Sequence, residues 1–194
     1  MRSSVAFGLT TLLLASTTSA QSPSPGALIA GAVQAAPADQ RDSATVLAIG
    51  SGGIATTLRK GTGALVCLAD DPAQDGFSVA CYHKDLEPFM ARGRELAGKG
   101  SKGRGPADDL RYKEIAAGTL TMPKEPRLAT MVQGSGFDAA TGTVRDAYTR
   151  WVIYTPGATP ESTGVPTTPG PGAPWLMYPG TAGAHIMISP PRPK

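Results

Sequence analysis

Asparagine is missing altogether from this 194-residue chain, and histidine and cysteine occur only twice each. Without Asn there is no acceptor for N-linked sugar, and turns that need positive φ must take Gly or Asp instead. With two histidines, any Ser-His-Asp site must use His83 or His185, and a His-rich zinc site would need both. Two cysteines exclude a disulfide-dense miniprotein. Large apolar side chains are scarce as well: Leu, Ile, Val and Phe total 35 of 194, about 18%, while Ala alone supplies 29. The formal net charge of +3 is too low to turn that shortage into enforced disorder. A large multidomain enzyme, a coiled coil and a polytopic membrane protein do not fit this composition, and no internal repeat is visible. What is abundant is Gly (24) and Pro (18), so one small domain with long irregular segments is expected.

Residues 1–20 read as a secretory signal peptide. Arg2 is the positive n-region, residues 5–15 form an apolar run, and Thr18 and Ala20 put small residues at the −3 and −1 positions of a cut. The run falls short of the about 20 residues a spanning helix needs, so the mature chain from Gln21 is not expected to insert in a membrane. An uncleaved anchor is the alternative. Cleavage removes Arg2, and the formal charge becomes 3 − 1 = +2, so the pI near 9.0 does not argue for nucleic acid. The expected location is periplasmic or extracellular. There Cys67 and Cys81 are most simply a disulfide, which over a loop of this length stabilises by about 3 kcal/mol. A reactive thiol or a thiolate metal site is the competing reading.

Ser24 and Pro25 give a helix start over residues 24–36, with Leu28, Ile29 and Val33 on one stripe and mostly Ala and Gly opposite. Residues 37–43 connect it to a run of short strands at 45–49, 54–59, 64–69 and 77–83, separated by Gly-rich or Asp-rich turns. Such close spacing favours an antiparallel meander. If Cys67 faces Cys81, Leu65 lies opposite His83 and Leu68 opposite Ala80. Helical period then appears at 85–97, with Gly98 as the expected stop, and more weakly at 106–117. Strand signals return at 128–133, 149–155 and 184–189. Residues 155–174 carry six prolines and should run extended over the surface, neither central strand nor helix, until residues 175–178 pin them back.

Several candidate motifs fail on spacing. The loop Asp70, Asp71, Asp75, Gly76 lacks the bidentate carboxylate of an EF-hand, because Tyr82 stands where it would be. Residues 98–105 lack the Gly-Lys-Ser/Thr of a phosphate loop, and read as an inter-helix linker. Gly134-Ser135-Gly136 is not a nucleophile elbow, and Asp108-Asp109 reads as helix capping. His185 and Met187 share a strand face and could offer imidazole and thioether to Cu(I), against the plainer reading of a half-buried strand His beside a core Met. His83, at a strand-to-helix junction, reads as a hydrogen-bonded structural His.

Leu58-Arg59-Lys60-Gly61-Thr62, Cys67-Leu68-Ala69-Asp70-Asp71-Pro72, Met131-Val132-Gln133-Gly134-Ser135 and Ala184-His185-Ile186-Met187-Ile188 resemble landmarks of small exported bacterial proteins of unknown function, over residues 45–190. The resemblance implies an exported bacterial protein with an integral C-terminal strand, and carries over no catalytic or binding residue. Tyr82-His83 departs from the pattern, which makes His83 the poorer candidate for a shared site.

The expected fold is α+β: a helix and linker over residues 21–43, then one domain over residues 44–194. That domain is a mostly antiparallel β-sheet opening in a meander, with two inserted helices and a long Pro/Gly-rich loop. The leading functional reading is a non-catalytic domain that binds a small molecule or an envelope component, with no cofactor, no metal and no nucleic acid. One alternative is a secreted hydrolase using His185 in a cleft between Ser135 and the proline-rich segment. The other is a copper-binding protein using His185 and Met187.

Overall fold

A computed structural model describes residues 23–101, 105 and 109–192. The expected leader, residues 1–20, lies outside the described residues, as does the expected helix start at 106–108. The described chain is α+β, built on a mixed, mostly antiparallel eight-stranded sheet with helices on both faces.

The first helix, α1 (Pro25–Ala32), starts where Ser24 and Pro25 predict, with the Ser24 hydroxyl accepting from Ala27 N at 3.2 Å. A 3₁₀ turn over Val33–Ala35 continues it. The expected stripe packs in part: Val33 is buried and Ile29 leans on the same core, but the small residues are buried with them. Gly31, Ala32, Ala35 and Ala36 are buried with Val33 against the sheet, while Leu28 and Ile29 are only half-buried. The small side chains let the backbone sit close to the strands, and a Cβ at Gly31 would press on the rings of Phe77 and Phe137.

The strands β1 (Thr45–Ile49), β2 (Ala55–Arg59), β3 (Leu65–Leu68) and β4 (Phe77–His83) fall where the turn chemistry places them, but they do not form a meander. β1 pairs antiparallel with β2 on one side and parallel with β3 on the other, which leaves β2 at the sheet edge. The 15 residues between β1 and β3 are enough for a parallel crossover, and β2 itself is that crossover. The return passes the start of β1 on Gly61 and Gly63. Gly63 N donates to Ser43 O at 2.8 Å, and a Cβ at Gly61 would overlap the backbone of Ser43 and Ala44. The β3–β4 hairpin has the register expected of a Cys67–Cys81 bridge, Leu65 opposite His83 and Leu68 opposite Ala80, and the disulfide is formed.

Two helices follow β4. A 3₁₀ turn over Lys84–Leu86 leads into α2 (Glu87–Gly98), and α3 (Leu110–Ala116) is capped by the Asp109 side chain, which accepts from Arg111 N. The helix ends at Gly98, as expected, but Gly98 is not the residue that turns left-handed. Gly100 takes the positive φ at the C-terminus, and Gly98 instead touches the backbone of the turn at Ser51–Gly53. A part-buried ionic group ties α2 to the sheet: Arg94 donates to Tyr82 Oη at 2.9 Å and to Glu87 at 2.6 Å, and the Tyr82 hydroxyl donates to Glu87.

β5 (Arg127–Gly134) pairs with β4, and β8 (Tyr148–Tyr154) with β5. Between them β6 (Gly136–Asp138) and β7 (Thr143–Arg145) form a small separate hairpin that the local pattern does not signal. β10 (His185–Ile188) joins β8, and β9 (Trp175–Met177) closes the far edge, giving the order β2-β1-β3-β4-β5-β8-β10-β9. The proline-rich segment is surface chain as expected, with one correction. Pro160–Thr163 forms a single helical turn, α4, capped by reciprocal Thr159 and Ser162 bonds. Pro160 sits at its first position, where a missing N–H is harmless.

Two cores result. Ala32, Val33, Val46, Cys67, Cys81 and Val132 lie under α1 on one face, and Leu47, Val66, Tyr82, Leu86, Ala129 and Val152 lie under α2 on the other. Helix α1 covers only half of its face.

Candidate functional site

A cleft with several convergent polar groups lies where α1 stops short. β3, β4 and β5 end side by side, and the chain between α1 and β1 leans over them. This leaves a cleft of about 280 Å³. Its floor is Leu65, Cys81 and Leu128, and its walls are Ala35, Pro37 and Pro126. Gln40, His83, Arg127 and Thr130 supply the polar groups. An apolar cavity with a few convergent polar groups is the ordinary form of a small-molecule site.

The polar end is ordered by Asp85. Its carboxylate accepts from Arg127 Nε at 2.9 Å and lies 2.8 Å from Nη2, and that hydrogen bond holds its pKa below the usual carboxylate range. His83 Nδ1 accepts from Asp85 N at 3.3 Å and is 3.4 Å from the Asp85 carboxylate. In the neutral ring the backbone bond places the proton on Nε2, which is then a free donor. Arg127 is spent on Asp85, so the cleft is close to charge-neutral at this end. It can grip an acceptor atom and an apolar body.

The apolar floor continues past the cleft. Leu128 pairs with Ile153, Ile153 with Ile186 and Ile186 with Leu176, and the next row runs Thr130, Trp151, Ile188. Leu128 is 45% exposed, Ile153, Ile186, Trp151 and Ile188 are half-buried, and only Leu176 is fully covered.

His185 sits on the opposite face. It is 8% exposed, with Nδ1 donating to Gly183 O at 2.7 Å and its ring 5.1 Å from Tyr154 and 5.6 Å from Tyr178. Tyr112 and Phe89 extend this aromatic cluster. Burial lowers the His185 pKa and pushes that of Tyr112 up to about 12, so both rings stay neutral near pH 7. Met187 shares the His185 face, as the alternation requires, but packs on the core under α2. The apolar side of this strand, Ile186 and Ile188, is the more open one.

Ser135 lies at the other end of the sheet. The ladder runs from Gln133 opposite Tyr148 to Tyr154 opposite His185, six residues along β8 or about 20 Å. Ser135 Oγ donates to Asp146 Oδ2 at 2.5 Å instead, beside a polar cleft of about 390 Å³ that contains neither histidine. Neither His83 nor His185 meets Ser135, and the two histidines occupy opposite faces. Among the described residues, no three of His, Cys, Asp and Glu gather as metal ligands. No helix among them is long and apolar enough to cross a membrane.

Of the four candidates drawn from the sequence, only His83 lines the apolar cleft. Arg127, Leu128 and Gln40 had no motif to mark them, because they converge only through the β4–β5 pairing and the fold of residues 33–40. Compared with protein-family models, curated proteins and solved structures, the chain matches none.

Proposed function

We propose that this is an exported, disulfide-stabilised binding protein that takes a small, largely apolar molecule in the cleft beside His83. The observation that carries the reading is the cleft itself: an apolar floor open to solvent, one free imidazole donor, and flanking polar groups already ordered by the Asp85–Arg127 pair. The ligand's apolar body rests on Leu65 and Leu128, and a carbonyl or hydroxyl oxygen accepts from His83 Nε2. The disulfide and the leader-like residues 1–20 support export.

Octanol and octanoate are suitable probes, one neutral and one anionic. Titration into ¹⁵N-labelled mature protein should shift the amides of Gln40, His83, Leu128 and Thr130 saturably, with octanol no weaker than octanoate. Ala35→Trp, which fills the cleft, should abolish the shifts. Absence of saturable shifts with both probes, or shifts centred on Ser135 and Asp146, would overturn the proposal.

A further inference from the structure

The two edges of the large sheet are finished differently. At β9 the outward amide of Leu176 donates to Pro166 O at 2.7 Å, and Pro174 and Pro179 flank the three-residue strand. That edge is closed. Within β2 there is no proline or lysine, although the exposed Lys60 follows its last residue; no covering segment stands over the strand among the described residues, and Ala55, Thr56 and Thr57 are all exposed. Gly50 N donates to Ile54 O, so by antiparallel alternation Thr56 turns its backbone to β1 while Ala55 and Thr57 turn theirs outward. Arg59, the charged residue of the strand, is folded back onto the carbonyls of Ala44 and Arg41. Beside this edge stands Ile54, 70% exposed, the most exposed large hydrophobic residue of the described chain. An open row of backbone donors and acceptors recruits another strand unless something blunts it.

We propose that β2 is a self-association edge, pairing antiparallel with β2 of a second copy across a two-fold axis through Thr56. This register sets Ala55 opposite Thr57 twice, and their outward groups exchange four backbone hydrogen bonds. Thr56 meets Thr56 as the close, non-hydrogen-bonded pair on the axis. Ile54 comes to lie beside Leu58 of the second copy, which covers the exposed isoleucine. No charged residue falls inside the ladder, so like charges do not oppose each other. A slipped register centred on Thr57 runs into the bulge at Leu58, where the β1 pairing jumps from Leu47–Thr57 to Val46–Arg59. Because the β9 edge is closed, a β2-to-β9 filament cannot grow, and the assembly stops at a dimer. The ladder is short, so the dimer is a weak one that forms as concentration rises.

Cysteine cross-linking reads the register directly, since the native cysteines are both in the disulfide. Mature Thr56→Cys should cross-link to itself under mild oxidation at least tenfold faster than Ala55→Cys or Thr57→Cys alone, while a mixture of those two variants should form the heterodimer. Sedimentation equilibrium of the unaltered protein should show a monomer–dimer equilibrium that Ile54→Lys shifts to monomer. Equal cross-linking rates for the three single variants would overturn the proposal. So would a strictly monomeric parent, or a dimer indifferent to Ile54→Lys.

Discussion

His185 shows how a residue's chemistry is set by its surroundings more than by its type. As the sequence presents it, an imidazole two residues from a thioether is a soft-metal motif. In the fold its Nδ1 is committed to Gly183 O and its ring is held between Tyr154 and Tyr178. Burial lowers its pKa, and the consequence for stability has a definite sign. A base with a folded pKa below its unfolded value of about 6.5 contributes fully above that pH, and the contribution is lost as the pH falls through the window toward the folded value. Acid effects on Asp85 and Glu114, both held low by arginine partners, belong to a lower range, below about pH 4.5. Urea unfolding followed from pH 7.5 to pH 5 should therefore show a falling midpoint. In His185→Gln the fall should flatten, and at pH 7.5 the variant should lose about 1 kcal/mol with the Gly183 bond. An identical slope in parent and variant would show that His185 titrates as if exposed.

At the scale of elements, the legible parts were those with a local cause. The β3–β4 register follows from one covalent constraint and a period of two, and it holds residue by residue. The start of α1 follows from Ser24 and Pro25. The buried side of α1 was legible only at Ile29 and Val33, because a hydrophobic stripe ignores how closely a helix of Gly and Ala can approach a sheet. Nor was the parallel β1–β3 pair, since strand order depends on which edge a hairpin swings to and leaves no trace in local pattern. Gly98 is a further case. By propensity, Gly98→Ala should stabilise α2 by up to about 1 kcal/mol. Packing predicts the opposite, because a Cβ there enters the backbone of Gly52, and a Cβ at Gly53 likewise enters the carbonyl of Arg94. Gly98→Ala should therefore destabilise by about 1–3 kcal/mol in urea unfolding. Gly118→Ala has open space and suffers only from its positive φ, at about 1–2 kcal/mol. A stabilised Gly98→Ala variant would show that the turn at Ser51–Gly53 does not hold α2.

For the molecule as a whole, scarcity of large side chains is met by two separate cores on one sheet, a disulfide beneath one of them, and half of a face left open. The candidate site was illegible for that reason: it is defined by where cover stops, and no residue of it forms a motif with its neighbours in sequence. The same economy sets the pattern of motion. β8 lies between β5 and β10, so the amides of Trp151, Val152, Ile153 and Tyr154 are in the middle of the sheet. The proline-rich chain that follows is held at separate points. Gly157 N reaches Thr181 O, Gly164 N closes the turn of α4, and Ala173 N reaches Gly170 O. Thr167, Thr168 and Gly172 donate no backbone hydrogen bond and are exposed, whereas Gly170 is bridged to Ala173. Exchange into D₂O should therefore fall into three classes. Amides at 151–154 should be protected to the level of global unfolding, those of Gly157 and Gly164 should be intermediate, and those of Thr167, Thr168 and Gly172 should exchange at near the rate of an open chain. Protection at 167–172 equal to that of β8 would mean that this segment is packed against the uncovered apolar rows of β8 and β10. Those rows would then be core, and the open floor leading from the His83 cleft would be closed.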